Sequence, residues 1–414
     1  MNLLFVHQNF PGQFKHLAPA LAAKGHRVLA MHLHPCAPLP GVELIRYPIT
    51  PNPGDHTHRW LKDLEVKTVR GESAWQAAMA LRQQGFVPDV IVAHPGWGES
   101  LFLHHVWPQA RMGLYCEFYY LVHGVDVDFD PEFAKPDDSN ACRLQLKNSV
   151  FDLQFPRATA GLSPTHFQAS LMPESMANKI SVIHDGIDTD WIAPNENASL
   201  MLQSAQGQLR LSRQDEVITF VNRNLEPYRG YHIFMRALPA LLKARPKAQV
   251  LIVGGDEVSY GAAPPPDKSG KPQSWKHIFL NEVKDQIDPT RVHFLGRIAH
   301  EQFLRVLQLS TVHVYLTYPF VLSWSLLEAM SAGCAIVASH TAPVREAITD
   351  GETGEMIDFF DVQGLADRVA GLCADRHRAR QLGARAREFA IANYDLKRHC
   401  LPRQMAWVEA LANG

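Results

Sequence analysis

NLLFVHQNFPGQFKHLAPALAAKGHRVLAMHLH (residues 2–34) opens with a short apolar run, turns at Pro11-Gly12, and continues with apolar residues at helical spacing. Gly25 stops that helix, and a second apolar run, residues 26–34, follows. Strand, helix and strand in this order form a βαβ unit, the start of a parallel sheet with crossover helices. The alternation then repeats. Residues 59–84 read as an amphipathic helix, and 89–94, 110–118, ATAGLS (158–163) and KISVIHDG (179–186) as strands. The stretch 195–216 turns polar and reads as a linker. After it the pattern restarts with strands VITFVNR, AQVLIVGG, RVHFLGRI, VHVYLTYP and CAIVAS. Helices are expected at GYHIFMRALPALLKARP, HEQFLRVLQLS, 325–332 and VREAITDG, with a helical tail from about 361. The fold class is therefore α/β, with two doubly wound, Rossmann-like parallel-sheet domains in tandem. In such sheets ligands bind at the carboxyl rim of the strands, where the Pro/Gly-rich loop 260–273 also falls.

A chain of 414 residues is long enough for two cores. Its 40 Lys and Arg against 42 Asp and Glu leave a net charge of −2, which gives no reason to expect nucleic acid. No apolar run approaches the ~20 residues that span a bilayer, and the amino terminus lacks the basic segment of a signal peptide. Six cysteines (36, 116, 142, 334, 373, 400) occur without a CxxC pair, so reduced thiols and a cytoplasmic setting are expected.

Reactive polarity gathers after the strands of the second half. In NRNLEPYRG (222–230), Arg223 and Arg229 flank a turn before a helix, an anion trap built from charge, forked donors and helix dipole. Neither GxxxxGK[ST] nor GxGxxG is present. In LSWSLLEAMSAG (322–333), Glu328 lies on a helix that follows a serine-containing turn, where the N–H groups of Leu322, Ser323 and Trp324 are free to face a ligand. A carboxylate so placed suits two vicinal hydroxyls of a ribose or hexose; the plain alternative is an acid stabilised by the helix dipole.

Taken together, NRNLEPYRG, AQVLIVGG, VHFLGRI, LSWSLLEAMSAGCAIVAS and REAITDGETG resemble, in order and spacing, the retaining nucleotide-sugar-dependent glycosyltransferases of family 4. PGQFKHLAPALAAKGHRV is similar to the family's opening and KISVIHDGIDTDWIAP to its hinge strand, so the resemblance covers nearly the whole chain. It implies the GT-B fold, two Rossmann-like domains facing across a cleft. An acceptor domain is expected over 1–190, with helix 395–414 packing back on it, and a donor domain over 191–394. It also implies a metal-independent hexosyl transfer from a nucleoside diphosphate sugar to a glycan, lipid-linked sugar or other hydroxyl, with retention and without a cofactor.

By the same resemblance Arg223 and Arg229 grip the diphosphate, Arg229 standing where the family has lysine. Glu328 matches the glutamate that holds the ribose. The family's other glutamate, eight residues earlier, is replaced by Phe320. Either Ser323, Ser325 or backbone N–H groups take over the hexose contacts, or donor turnover is weakened; survival of the phosphate and ribose residues favours the first. Base recognition is expected near Gly296, Arg297 and Ile298, and the N–H of Gly12 is expected to approach the phosphates. The family's cleft histidine is absent after LYCEFYY; Glu117 stands at or next to that place and is the first candidate to orient sugar or acceptor, with His94 the second. His16 and His184-Asp185 read as structural.

DVDFD (126–130) fails as a calcium loop, with Pro131 at the sixth position, and no metal is expected. The helix 59–84 combines Arg59, Lys62, Lys67 and Arg70 with Trp60 and Trp75, but Asp63, Glu65 and Glu72 dilute the charge. An ordinary solvated helix accounts for it, and peripheral contact at the inner membrane face is the one membrane role left open. The rival readings are a non-catalytic nucleotide-sugar-binding protein and a nucleotide-sugar epimerase of the same fold. A phosphorylase lacks a pyridoxal lysine environment here, and a nicotinamide oxidoreductase lacks its glycine fingerprint. The sequence leaves the oligomeric state open.

Overall fold

A computed structural model describes residues 1–49, 56–134, 137–204 and 207–413. The chain divides into two compact units, Met1–Gly186 with Leu396–Gly414, and Ile187–Asp395. In the first unit seven strands, β1 (Asn2–Val6), β2 (Arg27–His32), β3 (Val42–Arg46), β4 (Val90–Ala93), β5 (Arg111–Tyr115), β6 (Ala160–Ser163) and β7 (Ile180–Val182), pair in parallel. Their order is β3-β2-β1-β4-β5-β6-β7. Alternate side chains enter opposite faces: Leu4, Val6, Leu29 and Met31 join one core, Leu3, Phe5, Val28 and Ala30 the other. Burial on both faces explains why these strands read as continuous apolar runs.

The second unit begins with β8 (Ser199–Ser204) and β9 (Gly207–Ser212), an antiparallel pair. The expected linker therefore holds an antiparallel strand pair; residues 205 and 206 lie outside the described residues. Leu202 and Leu211 are buried in the second core, and their exposed neighbours, Met201, Gln203 and Arg210, face away from it. Then come β10 (Val217–Asn224), β11 (Gln249–Gly255), β12 (Val292–Gly296), β13 (Val312–Tyr315), β14 (Ala335–Ser339) and β15 (Glu355–Ile357), all parallel, in the order β12-β11-β10-β13-β14-β15. In both sheets the order of strands reverses beside the first parallel strand, between β1 and β4 and between β10 and β13. Those two switch points, at the carboxyl rim, are where a doubly wound sheet opens for ligands.

The expected helix in VREAITDG is one 3-10 turn, Val344–Glu346. Thr353 Oγ1 accepts from Thr349 N at 2.8 Å and Asp350 accepts from Met356 N at 2.7 Å, bending the chain directly into β15. Strand β3 and the helices Asn140–Gln154 and Trp275–Val283 are additions to the sequence reading.

Candidate functional site

In the first unit the polar residues collect past the ends of β1, β4 and β5. His94, immediately after β4, places Nε2 3.3 Å from Glu117 Oε2, and Gln13 Nε2 donates to Glu117 Oε1 at 2.8 Å. The two sequence candidates are thus partners. His7, one residue beyond β1, lies with its ring 5.3 Å from that of His94, and its Nδ1 accepts the N–H of Asn9. Gly12 closes this turn at φ +47; a Cβ there would stand 2.7 Å from the His7 ring, so glycine is required by both conformation and space.

Burial alone raises the Glu117 carboxyl, but the hydrogen bond and charge of His94, the charge of His7 and the Gln13 amide outweigh it and hold the group below its ordinary value. Burial, then the neighbouring His94, pushes His7 down to about 3. An ionised Glu117 carboxylate with a third of its side-chain surface exposed (33%) therefore lies near a His7 ring that burial keeps neutral. Neither His7 nor Gln13 was read from the sequence; each is remote along the chain from Glu117.

Elsewhere on this unit, His16 is exposed at the start of helix Leu17–Ala23. The Tyr115 hydroxyl donates to Asp185, at 2.9 Å to Oδ1. In DVDFD, Asp128 accepts from Gly124 N, and Asp130 from Glu132 N, so both carboxylates hold local turns. In helix Lys62–Gln83 the ammonium of Lys67 is turned inward, 2.7 Å from Asp63, which removes one charge from the basic face.

In the second unit the two arginines part company. Arg223, the penultimate residue of β10, is exposed and has no hydrogen-bond partner among the described residues. Arg229 ends the 3-10 turn Pro227–Arg229 and is only 4% exposed. Its Nη1 donates to Thr317 Oγ1 at 2.7 Å and to the Val321 carbonyl at 3.1 Å, with the Tyr315 hydroxyl at 3.4 Å. The guanidinium lies 5.1 Å from the Tyr260 ring and 5.9 Å from that of Phe320. The expected open pair of guanidiniums is thus one exposed cation and one buried tie to the loop after β13. Gly230, at φ +66, lets the helix Tyr231–Ala244 start against Leu316, whose Cβ would lie 2.3 Å from any added methyl.

Phe320 packs among aromatic rings: Tyr260 at 5.1 Å and Tyr228 at 5.6 Å, with Tyr228 itself 4.7 Å from Tyr318. Glu226, also buried, accepts the N–H groups of Ser259, Tyr260 and Gly261 and so fixes the loop after β11; burial raises its carboxyl. Arg297, following Gly296, ties the loop after β11 to the end of β10, 2.5 Å from Glu257 and 3.0 Å from Asn224 Oδ1, while Ile298 packs on the core.

Ser323 caps the helix Trp324–Ser331, its Oγ accepting the N–H of Ser325. Ser323 N donates to the Tyr315 hydroxyl at 3.0 Å, so this N–H, expected to be open to a ligand, is already used. Leu322 is buried in the core and Trp324 is exposed. One helical turn on, Glu328 Oε1 accepts from His300 Nε2 at 2.8 Å. His300 was not singled out in the sequence.

Two doubly wound parallel sheets, each with polar side chains at its switch point, define a protein of the GT-B class. The model for the family 4 group of glycosyl transferases matches residues 24–192, and that for glycosyl transferases group 1 matches residues 203–389. The chain belongs to this glycosyltransferase family. It is 25% identical over 215 residues to D-inositol 3-phosphate glycosyltransferase of Corynebacterium efficiens, covering 51% of this chain and 47% of that one. It is also 25% identical over 209 residues to a GDP-mannose-dependent phosphatidylinositol monomannoside mannosyltransferase of Mycolicibacterium smegmatis, covering 50% and 51%. The chain spans about half the length of the curated relatives it matches. Among solved structures, sucrose-phosphate synthase from Thermosynechococcus elongatus superposes with a TM-score of 0.73 at 17% identity over all of both chains. Anabaena HepE in complex with UDP-glucose superposes at 0.66 and 15% identity, again over all of both chains. These likenesses show the fold. No helix among the described residues is long and apolar enough to cross a membrane.

Proposed function

We infer that this chain transfers a hexosyl group from a nucleoside diphosphate sugar to an acceptor hydroxyl, with retention at the anomeric carbon and without a metal ion. The observation that carries this reading is the pair of charges at the second switch point. Arg223 is exposed on β10, Glu328 is largely buried on the helix after β13, and neither the guanidinium nor Glu328 Oε2 has a partner among the described residues. A cation there stabilises the negative charge that develops on the leaving diphosphate, and a carboxylate accepts the ribose diol. The first unit takes the acceptor, with Glu117 and His94 as the groups that orient its hydroxyl. Relatives named for inositol phosphate and phosphatidylinositol mannoside substrates make a polyol or glycolipid acceptor the first to try.

Thermal shifts with UDP, GDP, ADP and their common sugars test the donor half. One nucleotide is expected to raise the melting temperature, and Arg223→Ala and Glu328→Ala each to weaken that nucleotide about tenfold. Normal binding by both variants would overturn the site, and no shift with any nucleotide would overturn the reading. A non-catalytic nucleotide-sugar-binding protein is the second reading, favoured by Phe320, which offers no hydroxyl partner, and by the burial of Arg229. Release of free sugar or glycoside from the donor separates the two.

A further inference from the structure

We propose that His300 is a positioning residue for the nucleotide site. It holds Glu328 by one oxygen so that the carboxylate meets the ribose diol in a single orientation. This rests on the donor reading above and adds a residue to it.

His300 is the first residue of the helix His300–Leu309, just past β12, whereas Glu328 belongs to the helix after β13. The two are 28 positions apart, and their hydrogen bond of 2.8 Å joins the helices that follow two different strands. Its geometry is asymmetric. Glu328 is 13% exposed and His300 48%, so the carboxylate is held inside while the imidazole stands at the surface. The carboxylate accepts, so the imidazole carries its proton on Nε2. Oε1 is engaged, and Oε2 has no partner among the described residues. Two rings fix the imidazole plane: Phe303 stacks at 5.5 Å and 21°, and Trp191 lies at 4.8 Å and 31°. Trp191 is itself exposed.

A glutamate side chain otherwise samples a broad range about its last torsion, and a turning carboxylate must be ordered before both hydroxyls of a diol can meet it, so less of the second hydroxyl's hydrogen bond appears as affinity. Fixing one oxygen aims the remaining lone pairs. The consequence is selectivity: ribonucleotides should be preferred to their 2′-deoxy counterparts, and that preference should depend on His300 although His300 need not touch the sugar. A hydrogen bond to a charged group supplies a preference of about tenfold.

The test is calorimetric titration of the full chain with UDP, GDP and ADP, each beside its 2′-deoxy form, for wild type, His300→Ala, His300→Gln and Glu328→Ala. Wild type should prefer its ribonucleotide about tenfold. His300→Ala should lower the ratio of the two affinities several-fold, and His300→Gln, which keeps an N–H donor, should restore most of it. A merely structural histidine would alter both affinities together and leave their ratio alone. If Glu328→Ala abolishes the preference and His300→Ala keeps it, the role of His300 is wrong and the donor reading stands. If Glu328→Ala also keeps the preference, or wild type binds none of the six nucleotides, the donor reading falls and the proposal falls with it.

Discussion

Burial governs the proton on His184. The ring sits just past β7, its Nδ1 accepting the N–H of Gly186 at 3.0 Å, and burial pushes its pKa from 6.5 down to about 4. In the unfolded chain the same ring protonates near 6.5, so below that pH the unfolded state binds the extra proton. Stability is therefore lost as pH falls from 6.5 towards 4, by about 1.4 kcal/mol per pH unit from this residue. His184→Asn keeps an acceptor for Gly186 N–H in an Asx turn and removes the titration. Urea denaturation of the first unit should show a shallower loss for the variant over that window by about this slope; equal slopes would overturn the assignment. Composition cannot reveal such a residue, because burial is settled by the whole fold. The same holds for contacts at the candidate sites. Glu117 and Arg223 are legible as a carboxylate and a cation at strand ends, but that Glu117 meets His94 and Gln13, or that Arg229 turns inward on its 3-10 turn, depends on loops brought together across the sheet.

The elements legible in the sequence are those whose side chains are buried on both faces or along one helical stripe, since burial dictates an apolar period that can be counted. The strand pair of β8 and β9 escaped because only one face is buried. Leu209 and Leu211 on β9 alternate with Gln208, Arg210 and Ser212, while on β8 the exposed Met201 separates Leu200 from Leu202 and breaks the apolar–polar alternation that marks a strand. Helix-forming residues in VREAITDG misled in the opposite sense: side-chain bonds from Thr353 and Asp350 to the backbone give the segment another partner than a helical turn. Leu211→Ala discriminates strand pair from linker. Leu211 is 1% exposed, so truncation should cost the second unit about 2–4 kcal/mol in urea denaturation, while a true linker would lose almost nothing.

At the scale of the molecule, strand–helix alternation in both halves is enough to expect two doubly wound sheets. Local periodicity shows that the last helix, Leu401–Asn413, has an apolar face, but not which core receives it. The chain leaves the first unit after Gly186, builds the whole second unit, and returns at Leu396. Trp407, Val408 and Leu411 join Leu17 and Leu21 of the helix Leu17–Ala23 in the core over the face of the first sheet that carries Val90 and Val92. Gln404 Nε2 ties the helix to the His184 carbonyl at 3.1 Å. Gly113 in β5 makes room for it, since a Cβ there would lie 2.5 Å from the Trp407 ring. Burying three such side chains is worth about 5–9 kcal/mol, comparable with the ~5–15 kcal/mol that holds a domain folded. A chain ending at Asp395 should therefore lose the first unit's transition in scanning calorimetry or show it tens of degrees lower. The second unit, whose core contains none of these residues, should melt where it did. An unmoved first transition would mean that the sheet face closes without this helix.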